Sequence, residues 1–195
     1  MIIGVLALQG AFAKHAKALE KLNCSVVEIR EPKDLIPCQG LILPGGESTV
    51  LSRLMRLNKL DIAIQKFAHK KPLFGTCAGL IVMSKSINSN QQTSPLELLD
   101  VAVDRNAYGS QVASFVDKID LLQPSIQQIP AFFIRAPKIT EVRCGVEVLG
   151  RFKNQPVIIQ QKIKGVTHLG STFHPELTND LTVHEYFLKL CDVLV

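Results

Sequence analysis

The sequence predicts an α/β fold: a three-layer sandwich with a mostly parallel central sheet flanked by helices and an antiparallel extension in the second half. Three observations carry this expectation. Up to about residue 86, short apolar runs alternate with segments of helical periodicity, which implies right-handed crossovers between parallel strands. Beyond about residue 90, strand-like segments follow one another directly, the last three separated by turn residues. The composition, 195 residues with 47% hydrophobic and 20% charged, is that of a globular chain able to bury its own core, so a single domain over residues 1–195 is expected.

The elements follow in order. Ile2–Leu8 is a continuous apolar run ended by Gln9-Gly10, as a strand buried on both faces should be. Phe12, Ala13, Ala16 and Leu19 then recur at helical spacing as far as about Leu22. Ser25–Arg30 and Gly40–Leu43 are the next strands, closed by Glu31-Pro32 and Pro44-Gly45-Gly46. Ser48 or Thr49 is expected to cap a helix carrying Val50, Leu51, Leu54 and Met55, and Asp61 to cap another reaching about His69. Pro72–Thr76 is a fourth strand and Ala78–Ser86 a helix, followed by a polar surface loop at 88–95. Strands are then expected at Leu98–Val103, Ser114–Ile119, Ala131–Arg135, Gly145–Phe152, Gln155–Ile163 and Val166–Phe173, with turns at Asn154-Gln155 and Lys164-Gly165. A last helix runs over Leu181–Val193.

The composition also narrows the function. Net charge is +5, but the basic residues are dispersed, there is no Trp, and only two Tyr are present. A nucleic-acid surface wants a basic stripe interleaved with aromatics, so no nucleic-acid partner is expected. No apolar stretch approaches the ~20 residues of a membrane span, so no membrane role is expected. The apolar N-terminus lacks the basic region of a signal peptide and reads better as a first strand. Five scattered cysteines with no Cys/His spacing of a zinc site suit a reduced, cytoplasmic compartment.

In a doubly wound sheet, ligands bind at the carboxyl ends of the strands. Those ends carry Gln9-Gly10, Pro44-Gly45-Gly46-Glu47-Ser48 and Gly75-Thr76-Cys77-Ala78-Gly79. The last is a G-x-C-x-G between strand and helix, the cysteine counterpart of the nucleophile elbow. The tight turn requires glycine on either side and presents Cys77 at a helix N-terminus, where the dipole favours thiolate over thiol. The Ala78 N–H is then placed to donate to an oxyanion. The alternative is a cysteine that simply packs in a glycine-bordered turn.

A cysteine nucleophile needs a base and a group to orient it. In His174-Pro175-Glu176, Pro175 biases His174 toward extended backbone, so the His174 and Glu176 side chains project to the same side. That arrangement suits a Cys–His–Glu triad in which the carboxylate fixes the imidazole tautomer. His15, His69, His168 and His184 lack this setting and read as surface or packing residues. The paired glycines of PGGES allow close backbone approach to a ligand. The same residues also fit a plain turn into a helix. Arg105 and Arg135 each follow an apolar strand and can pair with a carboxylate, either of a ligand or in a solvated salt bridge.

Together these segments resemble class I, triad-type glutamine amidotransferases. Within that class the chain resembles the glutaminase subunits of pyridoxal 5′-phosphate synthases, through LQG at 8–10, LILPGGEST at 41–49, FGTCAGLI at 74–81, RN at 105–106, FIRAP at 133–137 and FHPELT at 173–178. The resemblance implies Cys77 as nucleophile, His174 as acid/base and Glu176 as its partner. It implies an oxyanion hole from Gly46 and Ala78, and glutamine binding by Gly46, Glu47, Ser48, Arg105, Ile134 and Arg135. Gln9 and Gly10 match a loop near the interface with the synthase subunit.

The activity implied is hydrolysis of L-glutamine to glutamate and ammonia through a Cys77 thioester. The ammonia would pass to a (β/α)8-barrel synthase subunit within a hetero-oligomer that makes pyridoxal 5′-phosphate, vitamin B6. No metal and no organic cofactor is expected in this chain. One stretch departs from the family's R-N-S-F-G-R-Q pattern, since Ala107, Tyr108 and Ser110 replace its usual residues. Three rival readings stand beside this one: a glutaminase serving another synthase, a cysteine peptidase, and a non-catalytic binding subunit.

Overall fold

A computed structural model describes residues 1–88, 93–105, 114–122 and 127–192. The first half alternates as expected: β1 (Ile2–Leu6), α1 (Phe12–Lys21), β2 (Ser25–Ile29), β3 (Gly40–Leu43), α2 (Ser48–Leu57), α3 (Leu60–Ala68), β4 (Leu73–Thr76) and α4 (Ala78–Met83). Then come β5 (Ser84–Ile87), β6 (Leu99–Asp104), β7 (Phe115–Leu121), β8 (Gln127–Phe133), β9 (Lys138–Val142), β10 (Val146–Phe152), β11 (Gln155–Ile163), β12 (Val166–Ser171) and α5 (Thr182–Asp192).

Nine strands form one sheet in the order β2-β1-β3-β4-β12-β11-β10-β7-β8. From β2 to β12 neighbours are parallel, and from β12 to β8 they are antiparallel. The change of direction falls on β12, which pairs parallel with β4 and antiparallel with β11. A smaller sheet, β5-β6-β9, lies beside it. Four strands of the large sheet, β1, β3, β4 and β11, each serve two cores. Leu41 and Leu43 of β3 join the side built by α2, α3, α4 and the small sheet, while Ile42 joins Phe74, Leu169, Val183 and Phe187 on the side of α1 and α5. Burying an aliphatic or phenyl side chain of this kind contributes roughly 1.5–3 kcal/mol each.

Several local expectations are corrected. Ala78–Ser86 is not one helix, because α4 ends at Met83 and Ser84–Ile87 pairs parallel with β6. Glu47 caps α2 in place of Ser48 or Thr49; its carboxylate accepts from the Thr49 and Val50 N–H groups. Asp61 caps nothing, since α3 starts one residue earlier behind Lys59, which turns the chain with φ of 57°. The strand expected at Ala131–Arg135 begins at Gln127 and ends at Phe133, and Lys138–Val142 is an additional strand against β6. The β10–β11 turn is Lys153-Asn154, both at positive φ as a two-residue hairpin turn requires, one residue before the expected Asn154-Gln155. The departure at Ala107, Tyr108 and Ser110 lies outside the described residues, as does Val193.

Candidate active site

The carboxyl ends of four adjacent parallel strands, β1, β3, β4 and β12, meet at one edge of the sheet. Each delivers one of the segments singled out in the sequence: Gln9-Gly10 after β1, PGGES after β3, the cysteine turn after β4 and His174-Pro175-Glu176 after β12. A cleft of about 160 Å³ lies there, lined by Gly46, Glu47, Ser48, Cys77, Ile81, Arg105, Ile134, Arg135 and His174.

Cys77 joins β4 to α4 with φ of 48° and ψ of −102°, a conformation that costs a non-glycine residue on the order of 1–3 kcal/mol. Its environment enforces that conformation. The Cys77 N–H donates to the Ser171 carbonyl of β12 at 2.9 Å, and its carbonyl accepts from Ile81 N at 3.1 Å within α4. A Cβ at Gly79 would overlap the Leu43 carbonyl, and one at Gly75 would stand 2.7 Å from the Gly79 carbonyl carbon. Both glycines flanking the cysteine are therefore demanded by the close approach of α4 to the sheet. Cys77 is 5% exposed and lines the cleft.

His174 follows β12 on the neighbouring strand end, and its backbone N–H donates to the Phe132 carbonyl of β8 at 2.9 Å. Its Nδ1 lies 2.7 Å from Glu176 Oε1. An Nδ1–H donating to that carboxylate leaves Nε2 toward Cys77. Burial works against charge on this ring, but hydrogen bonds to Cys77 and Glu176 outweigh it and push His174 up to about 10. Glu176 is buried, which disfavours its ionised form, yet His15 and His174 hold its carboxyl below the ordinary value. The site thus favours an imidazolium at His174, between the Glu176 carboxylate and the Cys77 sulfur.

The facing wall belongs to PGGES. Burial disfavours the Glu47 carboxylate, while hydrogen bonds from the Thr49 hydroxyl and the Val50 and Thr49 N–H groups, and the charge of Arg105, hold its pKa below the ordinary value. Arg105 Nη2 donates directly to Glu47 Oε1. The Ser48 hydroxyl lines the cleft, buried and with no hydrogen-bond partner among the described residues. Arg135 is held at φ of 44° beside Ile134. Gln9 is not in the cleft wall; its amide oxygen accepts from the Glu47 N–H at 3.1 Å, and a Cβ on Gly46 would overlap that amide. Gly10 has φ of 82°, and the Gly45 carbonyl next to it accepts from the Ala11 N–H at 3.2 Å.

A family model described as the SNO glutamine amidotransferase family matches residues 5–193. The chain belongs to that family. Among its relatives is "Pyridoxal 5′-phosphate synthase subunit PdxT" of Desulforudis audaxviator, 44% identical over 191 residues that cover 97% of this chain and 98% of the relative. The protein of the same description from Streptococcus pneumoniae is 45% identical over 196 residues, covering 98% of each. A crystal structure of a glutamine amidotransferase superposes with a TM-score of 0.91 at 39% identity, over 98% of this chain and 100% of that one. PurLQS of Thermotoga maritima, at 15% identity and a TM-score of 0.69 over 99% of this chain and 95% of that one, shares the fold.

Of the residues expected from sequence, Cys77, His174, Gly46, Glu47, Ser48, Arg105, Ile134 and Arg135 line one cleft, with Glu176 directly behind His174. Sequence reasoning missed Ile81, although it stands one helical turn after Cys77. It also assigned His15 and His184 to surface or packing roles. Both are fully buried, and His15 Nε2 lies 3.4 Å from Glu176 Oε2. The signal was present: His15 shares the helical spacing of Phe12 and Leu19, and His184 that of Phe187 and Cys191.

Proposed function

We propose that this chain is a glutaminase that hydrolyses L-glutamine to glutamate and ammonia for pyridoxal 5′-phosphate synthesis. The observation that carries the reading is the strained, cleft-facing Cys77 with the His174–Glu176 pair beside it. Opposite them, Glu47, Arg105 and Arg135 suit the ammonium and carboxylate of a free amino acid, and Ile81 and Ile134 suit its methylenes. A cleft of about 160 Å³ favours one amino-acid side chain over a peptide.

In this mechanism the Cys77 thiolate attacks the side-chain amide carbon and a C–S bond forms. The N–H groups of Gly46 and Ala78 receive the oxyanion. His174 gives its proton to the departing nitrogen, and ammonia leaves a γ-glutamyl thioester. Water, deprotonated by His174, then attacks the thioester; glutamate leaves and the thiolate is restored. All of these roles fall to one domain, with no metal or organic cofactor taking part. The ammonia passes to a synthase subunit of (β/α)8-barrel type in a hetero-oligomer, docked near Gln9 and Gly10. A cytoplasmic location fits the unpaired cysteines.

The test is glutamate release from L-glutamine by wild type and Cys77→Ala, with and without the barrel subunit. Release that requires Cys77 and rises with the subunit is expected. Release indifferent to the subunit would redirect the ammonia to another synthase, and none under any condition would overturn the reading.

A further inference from the structure

Behind Glu176 the site continues into a polar layer that the reaction scheme above does not use. His15 of α1 and His184 of α5 are both fully buried, with His15 Nδ1 and His184 Nε2 3.0 Å apart. His15 Nε2 reaches Thr76 Oγ1 at 3.2 Å and Glu176 Oε2 at 3.4 Å. Thr76 is the residue immediately before Cys77, so this layer touches the triad at both the carboxylate and the cysteine turn.

Hydrogen-bond accounting fixes the protons. If His15 Nδ1 carried the hydrogen, His15 Nε2 would face the Glu176 carboxylate as a lone pair. His184 would then hold its own hydrogen on Nδ1, which is buried and has no hydrogen-bond partner among the described residues. Both features are costly, an orphaned buried donor alone by roughly 1–3 kcal/mol. With the hydrogen on Nε2 of each ring, both of these costs disappear. His184 Nε2–H donates to His15 Nδ1, His15 Nε2–H donates to Thr76 Oγ1 with Glu176 Oε2 beside it at 3.4 Å, and the unpartnered His184 Nδ1 is a bare acceptor. Glu176 Oε2 has no hydrogen bond among the described residues, so the His15 N–H dipole is what faces its charge. Burial lowers the pKa of both rings, that of His184 to about 3, which keeps the pair neutral.

We propose that His15 and His184 are positioning residues: a buried histidine pair whose His15 Nε2–H, hydrogen-bonded to Thr76 Oγ1, faces the second oxygen of Glu176 at 3.4 Å, so that the first oxygen stays aimed at His174. The first oxygen has the His174 ring at 2.7 Å and the second lies against the His15 N–H, so a turn of the carboxylate gives up both contacts. The proposal rests on the glutaminase reading and adds two residues to it.

The experiment compares His15→Gln, His15→Asn and His15→Leu in the full chain together with the barrel synthase subunit. A glutamine amide reaches the position of Nε2 and keeps the donor; an asparagine amide stops at the position of Nδ1; leucine has no donor. Expected is a fall in kcat for glutamate release of about tenfold for Asn and Leu, with KM for glutamine within about twofold of wild type and Gln restoring most of the rate. The iodoacetamide labelling rate of Cys77 should follow the same order without glutamine present. Equal kcat and labelling in folded Asn, Leu and wild-type proteins would overturn the proposal, as would a Gln variant no better than Asn. Labelling that follows this order across the variants, with no glutamate release by wild type, would overturn the glutaminase reading alone.

Discussion

His168 and His174 stand at opposite ends of the same run of chain, β12 and its exit, and both are buried, yet they hold protons oppositely. His168 Nδ1 accepts the Leu73 N–H at 3.2 Å. Burial, and then the charge of His69, push its pKa down to about 4. His174 is also penalised by burial, but Cys77 and Glu176 push it up to about 10. Burial alone therefore does not decide the charge of a histidine here. A backbone donor fixes a neutral ring, whereas the Glu176 carboxylate on one side and the Cys77 sulfur on the other fix a charged one. The chemically competent end is the end where the strand leaves the sheet beside the cysteine turn.

The largest expected effect comes from removing the charged member of this pair. His174→Ala should lower kcat for glutamate release by about ten-thousandfold, because one ring serves as proton donor and base. Glu176→Gln makes the His174 end more like the His168 end. It should lower kcat by about a thousandfold and move the limb of the pH–rate profile that reports His174 downward, since the imidazolium loses its carboxylate. Arg105→Gln leaves both imidazoles untouched. It should raise KM for glutamine by about tenfold while kcat changes little, the loss of one charge-assisted contact.

The effect that leaves turnover unchanged reads in stability and has opposite signs at the two ends. His168 has a folded pKa below its unfolded value of 6.5. Its contribution is therefore complete above pH 6.5 and lost as pH falls toward 4, by roughly 3 kcal/mol. His168→Asn, which offers an acceptor near the same position without titrating, should flatten the acid limb of urea midpoint against pH. His174 behaves in reverse: its raised pKa gives a contribution complete below pH 6.5 that fades as pH rises toward 10. An acid limb unchanged by His168→Asn would break the comparison.

Much of the site was legible in the sequence because its constraints are local. Gly75 and Gly79 are required by a turn spanning five residues, and Pro175 restricts the residue directly before it. Such requirements do not depend on what packs where. Glu47 as the α2 cap was misread because Ser48 is the commoner choice and the longer carboxylate reaches the same N–H groups. Ser84–Ile87 and Lys138–Val142 become strands only by pairing with β6, a partner outside their own segments. His15 and His184 lie on apolar helix faces, and their contact appears only once α1 and α5 pack on the same side of the sheet. The aromatic group of Phe115, Phe133, Phe152 and Phe173 likewise gathers residues from four segments, and it anchors both Ile134 and His174 through their neighbours in sequence.

The position of β12 has a consequence for the growing chain on the ribosome. In synthesis β12 follows the other strands among the described residues, but in space it sits in the middle of the large sheet between β4 and β11. Until it emerges, β4, with every residue destined for burial, and β11 present two unpaired edges that invite the wrong partner. The cysteine turn is made early and must wait for its base. On the proposed mechanism, a chain halted before residue 174 carries Cys77 but no proton relay, so ammonia release begins only when the sheet has been closed by its last-made strand.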